Sequence, residues 1–318
     1  MTSARRQDGC ARRRGHRRLG GPLARRLIGR GHRVRALTRA PASAAAARLA
    51  GQGADVVAGD LDDPRSLRRA AVGAGAVFVL STPHHGTGAA AEVRQAIALA
   101  DAAVAAGVGY LVYASAAGAG QPAGVPMLDA KRQVEEHLRC LPVPHAVIAP
   151  VFFMENLSYP WNRQVLRAGY WPIPLPPAHR VQLVSAGDVA HFAALVIERR
   201  DDFAGYRTEI AADEVTGPQA AGIMSVILNR PISHTEAVPE PLAPMAPFFR
   251  WIAATGFHAD IQRLRMGYPE VGWQSLQQWA TAQDWSEVMG TGPAADVRNP
   301  CSLTALMPYH YAAYLDPY

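Results

Sequence analysis

From Leu19 onward, short apolar runs alternate with longer Ala-rich stretches whose apolar residues recur at helical spacing. A helix is predicted over 22–30, with Pro22 in its first turn and Gly31 just past its end, the two positions where these residues favour a helix boundary. Further helices are predicted over 43–51, 64–72, 89–106 and 129–139. Between them lie the apolar runs Val34–Leu37, Val56–Val57, Val77–Leu80, Tyr110–Tyr113 and Ala146–Ile148. Such runs, separated by helices instead of hairpin turns, are the pattern of parallel strands buried on both faces. The expected fold class is α/β, a doubly wound parallel sheet.

After Pro150 the pattern changes, because Pro160, Pro172, Pro174, Pro176 and Pro177 interrupt any long element. Strands at 181–184 and 206–210 then mix with helices at 188–198, 217–228 and 246–255, which predicts a second, smaller α+β domain. The expected organisation is a basic, aberrant segment at 1–18, a doubly wound sheet domain at 19–158, a smaller second domain at 159–285, and a tail at 286–318 without periodicity.

Composition narrows the classes. With 318 residues, 49% hydrophobic and 18% charged, the chain can bury a sizeable core. No apolar run reaches the ~20 residues of a membrane span, and the basic N-terminus is followed by no apolar stretch of a secretory leader. The expectation is a cytoplasmic protein with no membrane partner. Cys10, Cys140 and Cys301 are isolated, which argues against a disulfide framework or a zinc site and for incidental thiols. The formal charge of +6 belongs to one segment: residues 1–40 hold 13 Arg and a single acid, Asp8, whereas the other 278 residues carry 19 basic and 25 acidic groups, a net of −6. A basic face on the folded body, which direct nucleic-acid binding needs, is not expected.

Four stretches in order, GHRVRALTR at 31–39, GDLDDP at 59–64, VPMLDAKRQVEEHL at 125–138 and PVFFMENL at 150–157, resemble the NmrA-like family of atypical short-chain dehydrogenases over roughly residues 19–285. The resemblance implies a Rossmann-type sheet that binds NADP(H), in a family whose members include oxidoreductases and redox-sensing regulators. The chain departs from that pattern at its N-terminus, where an apolar strand should run into GxxGxxG. Glycines are needed there because the backbone must turn tightly and approach a pyrophosphate at a helix N-terminus. Aligned on Gly20, the two earlier glycines fall on Arg14 and Arg17, and the strand falls on Gly9–Arg13, which has no strand pattern. Back-translating Gly9–Arg18 and starting one base later gives codons that permit Val-Val-Leu-Val-Gly-Gly-Ala-Thr-Gly, which joins Arg18-Leu19-Gly20-Gly21 if one base is restored. The Arg codons shift only to Val, Ala, Asp or Gly, so part of this fit comes from the code itself. The segment thus reads as a single-base frameshift, with a basic extension that binds a partner, or an inert arm, as the other readings.

At the end of the second strand a Rossmann NAD site places an acid against the ribose 2′-hydroxyl. Between Asp8 and Asp55 there is no acid, and Thr38-Arg39 stands at that strand end, so a 2′-phosphate would meet a guanidinium. NADP(H) is therefore favoured over NAD(H); the plain alternative is Arg39 as a solvated charge. The resemblance places Asp60 and Leu61 beside the adenine, a role compatible with Asp60 capping the next helix. Ser81-Thr82-Pro83 ends a strand at the edge where ligands bind such sheets, or is simple turn chemistry. His84-His85, without acidic or sulfur neighbours, reads as a polar loop and not as a metal site.

Lys131 is the residue on which chemistry could hang. Short-chain dehydrogenases place a Tyr four residues before a Lys, whose ammonium favours the phenolate that moves a proton to or from the substrate oxygen. Here that position is Met127, which transfers no proton, although Ser115 ends the fifth strand. Lys131 is left as a ribose anchor, a lone proton donor or a solvated helix residue. The resemblance puts Phe153 and Asn156 beside the nicotinamide, an apolar wall plus an amide, with core packing the alternative for Phe152 and Phe153. Trp251, Trp273 and Trp279 read as core and lid anchors. Two functions remain: an NADP(H)-dependent reductase of a quinone or carbonyl compound, with a small-molecule substrate, and an NADP(H) sensor acting through a regulatory protein partner.

Overall fold

The computed structural model describes residues 16–80, 88–158, 160–236 and 245–286. In chain order the helices and strands are α1 (His16–Gly29), β1 (Arg35–Thr38), α2 (Ala44–Ala50), β2 (Asp55–Ala58), α3 (Pro64–Ala71), β3 (Val77–Val79), α4 (Gly88–Ala105), β4 (Leu111–Ala114), α5 (Pro126–Arg139), β5 (His145–Pro150) and β6 (Phe152–Phe153). They continue with α6 (Pro160–Arg167), β7 (Arg180–Val184), α7 (Ala186–Glu198), α8 (Arg200–Phe203), β8 (Arg207–Ile210), β9 (Asp213–Thr216), α9 (Gly217–Leu228), α10 (Ala246–Ala254), α11 (Ile261–Gly267) and α12 (Leu276–Thr281).

The parallel strands form two fragments. One pairs β1 with β2, from Arg35↔Asp55 to Thr38↔Ala58. The other runs β3-β4-β5-β8, parallel throughout. Alternate residues of β4 feed two cores: Val112 and Ala114 join Leu19, Leu23 and Leu27 of α1 and much of α7, whereas Leu111 and Tyr113 join Ala96, Ala100 and Ala103 of α4 with Val134 and Leu138 of α5. The period of two along a strand thus puts helices on both faces, the doubly wound α/β arrangement. Helices also bridge the fragments, α1 against α7 on one face and α3 against α4 on the other. Among the described residues no strand is bonded to the second edge of β1 or of β3.

The smaller sheet, β6-β7-β9, pairs β6 parallel and β9 antiparallel to β7. In space α7 and β8 return to the larger sheet, α7 beneath β4 and β5 and β8 beside β5. One apolar core consequently runs from Leu19 to Trp285.

Local signals explain most boundaries. Ser43, Asp63, Ser185 and Thr216 cap α2, α3, α7 and α9 with their side-chain oxygens, and α9 ends at Asn229 in the left-handed region, φ 49°. The start of α1 differs from expectation: the helix begins at His16, so Pro22 is interior and not in the first turn. Its ring forfeits the bond to the carbonyl four residues back, and the helix carries through because Leu19, Leu23 and Leu27 are buried along one stripe. The segment 286–318 lies outside the described residues except for Ser286, and so do residues 1–15.

Candidate functional site

Parallel pairing brings the C-terminal ends of β1 and β2 together, and those of β3, β4 and β5 together, the kind of edge where ligands bind in open α/β sheets. The predicted residues fall along that edge in two groups. Thr38 closes β1 with its hydroxyl accepting from Ala40 N at 3.2 Å, and Arg39 follows it, exposed and without an ion pair among the described residues. The neighbouring chain is held close: Gly59 N donates to Thr38 O at 3.0 Å, and a Cβ at Gly59 would overlap the Leu37 side chain. Asp60 and Leu61 come next, half-buried beside that strand end. The helix cap expected of Asp60 belongs to Asp63; Asp60 Oδ1 instead accepts from Asp62 N at 3.1 Å in a local turn.

The second group surrounds the end of β4. Lys131 Nζ lies 2.5 Å from Glu92 Oε1, donates to Ala114 O at 3.3 Å and sits 5.4 Å from the Tyr113 ring centre. The Lys131 side chain is 14% exposed and Glu92 2%, so this is a nearly dry ion pair on two helices. Glu92 escaped the sequence reading, yet it lies four, eight and eleven residues before Ala96, Ala100 and Ala103, on the stripe α4 buries. An acid on such a stripe signals a partner. Met127, one turn before Lys131, is exposed.

Behind Lys131, Ser115 donates its hydroxyl to buried Glu135, which also accepts from Arg207 Nε at 3.0 Å. Arg207 bonds Glu209 at 2.7 Å and Ala116 O at 2.9 Å, and Gly118 N donates to Glu209 at 3.3 Å. Charged groups from α5 and β8 thereby hold the loop after β4, leaving the Ser115 oxygen only as an acceptor toward a ligand. Phe153 lies half-buried on β6, paired with Val184. The Asn156 carbonyl accepts from Asn162 Nδ2 at 2.7 Å, and its amide makes no hydrogen bond with a described residue. Trp251 packs its ring against Gly118 and stacks on Phe248, whereas Trp273 and Trp279 are buried core residues. Ser81, Thr82, Pro83, His84 and His85 lie outside the described residues.

The described residues put polar groups at two places where a nicotinamide dinucleotide could be held, the ends of β1 and of β4; the glycine turn that would lie between them falls outside the described residues. A guanidinium at the end of β1 and an ammonium at the end of β4 suit a 2′-phosphate and a ribose. The glycine that should allow close helix–strand packing, Gly20, sits within α1 with no atom inside 4 Å of where a Cβ would be, so nothing presses on it. Among the described residues no helix is long and apolar enough to cross a membrane.

Comparison with known proteins bears on the fold and the family. An NAD(P)H azoreductase from Xenophilus azovorans is 28% identical over 200 residues, 60% of this chain and 65% of the relative, so less than two thirds of that protein's length is matched. Among solved structures, Citrobacter sp. triphenylmethane reductase complexed with NADP(H) aligns at TM-score 0.64 and 21% identity, covering 78% of this chain and 90% of that one. An Escherichia coli NADPH-dependent quinone oxidoreductase complexed with NADPH gives 0.69 and 20%, covering 85% and 96%. The negative transcriptional regulator NmrA in complex with NAD gives 0.70 and 20%, covering 88% and 95%. At these identities the structures share the fold with this chain. The profile of the NmrA-like family matches residues 17–250, the span that holds both groups of edge residues, and the chain belongs to the NmrA-like family.

Proposed function

We propose that the protein is an NADP(H)-dependent reductase of quinone or carbonyl compounds whose nucleotide site needs an intact glycine loop to fill. The observation that carries this reading is the Lys131–Glu92 pair, a charged donor held at the strand edge where Tyr is missing. NADPH, when bound, supplies hydride. Arg39 meets the 2′-phosphate, Asp60 and Leu61 flank the adenine, Lys131 holds the ribose and keeps a proton near the substrate oxygen, and Phe153 with Asn156 walls the nicotinamide side. Lys131 acting without a Tyr suits a quinone, whose reduced oxygen solvent can protonate, better than a ketone. A second reading, an NADP(H) sensor acting through a protein partner, is favoured by Met127 in the place of that Tyr.

Calorimetric titration and NADPH oxidation test it, on the present chain and on one carrying Val-Val-Leu-Val-Gly-Gly-Ala-Thr-Gly at 9–17. The repaired chain should prefer NADPH to NADH by about 10- to 100-fold, the worth of a charge-assisted contact, and Arg39→Ala should erase most of that preference. Oxidation should be faster with quinones than with ketones, since general acid catalysis contributes ~100- to 10,000-fold. Equal affinity for the two cofactors overturns the Arg39 assignment. Tight NADPH binding without oxidation by any acceptor moves the function to the sensor.

A further inference from the structure

The described tryptophans divide by use. Trp171, Trp273, Trp279 and Trp285 are buried, and the last three donate their Nε1–H groups to Leu264 O and Tyr268 O, to Glu155, and to Ala280 O. Trp251 is half-buried, and its Nε1–H makes no hydrogen bond with a described residue. Its ring is nevertheless fixed on several sides. It stacks on buried Phe248 with 7° between the planes and meets buried Phe257 edge-on with centroids 5.5 Å apart. Its benzo carbons Cη2 and Cζ2 lie where a Cβ at Gly118 would overlap them. A ring held so firmly loses little freedom on binding, and a half-wet indole pairs an apolar body with a polar tip, the combination that favours recognition.

The loop beneath Trp251 leads back to the site. Gly118 is four residues beyond Ala114, whose carbonyl accepts from Lys131, a reach of at most about 14 Å. Ala117, next to Gly118, donates to Pro150 O at 2.8 Å, and Phe153 follows three residues after Pro150. Trp251 thus rests on a loop held between the ends of β4 and β5. Residue 251 lies past the span that the family profile matches, so nothing in the family likeness assigns it a role.

We propose that Trp251 is an aromatic platform of the substrate site, binding a flat unsaturated ring stacked or edge-on and thereby selecting quinones with fused rings over saturated ketones. The proposal rests on the reductase reading for the identity of its occupant as the hydride acceptor, whereas the ring contact is a matter of binding alone. Quinone rings are flat and electron-poor, and the indole face is electron-rich. A saturated dione carries the same oxygens and has no flat face to offer. An aromatic contact of this kind is worth about 2- to 10-fold in affinity beyond the area it covers.

Indole N–H resonances of the 15N-labelled full chain test it without NADPH, and Trp251→Phe assigns the Trp251 signal by its loss. The probe is 2,3-dimethyl-1,4-naphthoquinone, whose methyl groups block addition of thiols. It should shift the Trp251 signal saturably and leave those of Trp273, Trp279 and Trp285 in place, while decahydronaphthalene-1,4-dione shifts none. Equilibrium dialysis should show binding of the quinone weakened about 5- to 10-fold by Trp251→Leu and less than about threefold by Trp251→Phe, which keeps a ring. An unmoved Trp251 signal, equal binding of the saturated dione, or a Trp251→Leu chain that binds as the parent does overturns the proposal. If Trp251→Leu does not melt cooperatively, the parent's signal and the saturated dione decide. The reductase reading is separated by NADPH oxidation in the chain carrying the intact glycine loop. A shifted Trp251 signal without oxidation sinks the reductase and keeps the platform. Oxidation whose KM for the naphthoquinone does not rise in Trp251→Leu sinks the platform and keeps the reductase; the platform requires a higher KM with kcat little changed.

Discussion

Lys131 and Glu92 illustrate how one residue's worth depends on its partner. Two opposite charges so little exposed are costly to bring out of water, and their attraction roughly offsets that cost; taking away one leaves the other stranded. Lys131→Met should therefore destabilise the fold by about 3–5 kcal/mol, and Lys131→Met combined with Glu92→Leu should recover most of it. Urea denaturation of the two variants decides, and a Lys131→Met chain as stable as the parent means that the pair contributes nothing. The result also governs the oxidation assay, in which only the folded fraction of Lys131→Met is informative. Lys131 was visible from the sequence because it is the chain's single lysine and stands in a recognisable stretch. Its acid was not singled out, because Glu92 is 39 residues away and sits in an alanine-rich helix that otherwise looks featureless.

Among the elements, α10 buries Phe248, Phe249 and Ile252 in the core and adds one close contact with the loop after β4. The Trp251 ring, stacked on Phe248 at an interplanar angle of 7° and edge-on to Phe257, lies where a side chain at Gly118 would be, and Gly118 itself has φ +84°. Gly118→Ala should cost about 2–5 kcal/mol, the sum of left-handed strain and overlap. Adding Trp251→Leu should return the overlap part and leave the strain. Equal losses in the single and double variants, followed by thermal denaturation, show that the indole does not rest on Gly118. The strands at 35–38, 55–58, 77–79, 111–114 and 145–150 were legible because parallel strands between helices read as short apolar runs, even where, as in β1 and β2, no residue is fully buried. By contrast β9, Asp-Glu-Val-Thr, is polar at three of its four positions, and β6 is two residues long, so neither carries a period. The α12 helix was missed although Ser275 and Gln278 form a capping box that announces it. The early start of α1 was hidden by arginines, which show no apolar stripe until Leu19.

Across the whole molecule, three carboxylates fasten the last described helix to the body. Asp188 Oδ2 accepts from Gln274 N at 3.0 Å, Asp213 Oδ2 from Leu276 N at 2.7 Å, and Glu155 Oε1 from Trp279 Nε1 at 3.1 Å. Burial is the main reason that Asp188 is pushed up from 3.8 to about 6; Glu155 adds to the rise, while the bonds from Gln274 and Ser185 and the Arg265 charge oppose it. The folded chain therefore holds this proton more tightly than the unfolded one. The stabilisation is complete below pH 3.8 and is lost as pH rises through 6. Asp188→Asn does not titrate, so its stability relative to the parent should climb between pH 4 and 6.5, by up to about 1.4 kcal/mol per pH unit. A constant difference across that range, from denaturation at each pH, refutes the assignment. The packing of α1 on α7 has its own consequence for how the protein is made. Leu19, Leu23 and Leu27 leave the ribosome early, but Val189, Phe192 and Val196, with which they share a core, follow some 170 residues later. At about 5–20 residues per second, the nascent chain carries that leucine stripe uncovered for roughly 10–30 s, long enough to make its first helix a binding site for chaperones before it is a wall of the finished fold.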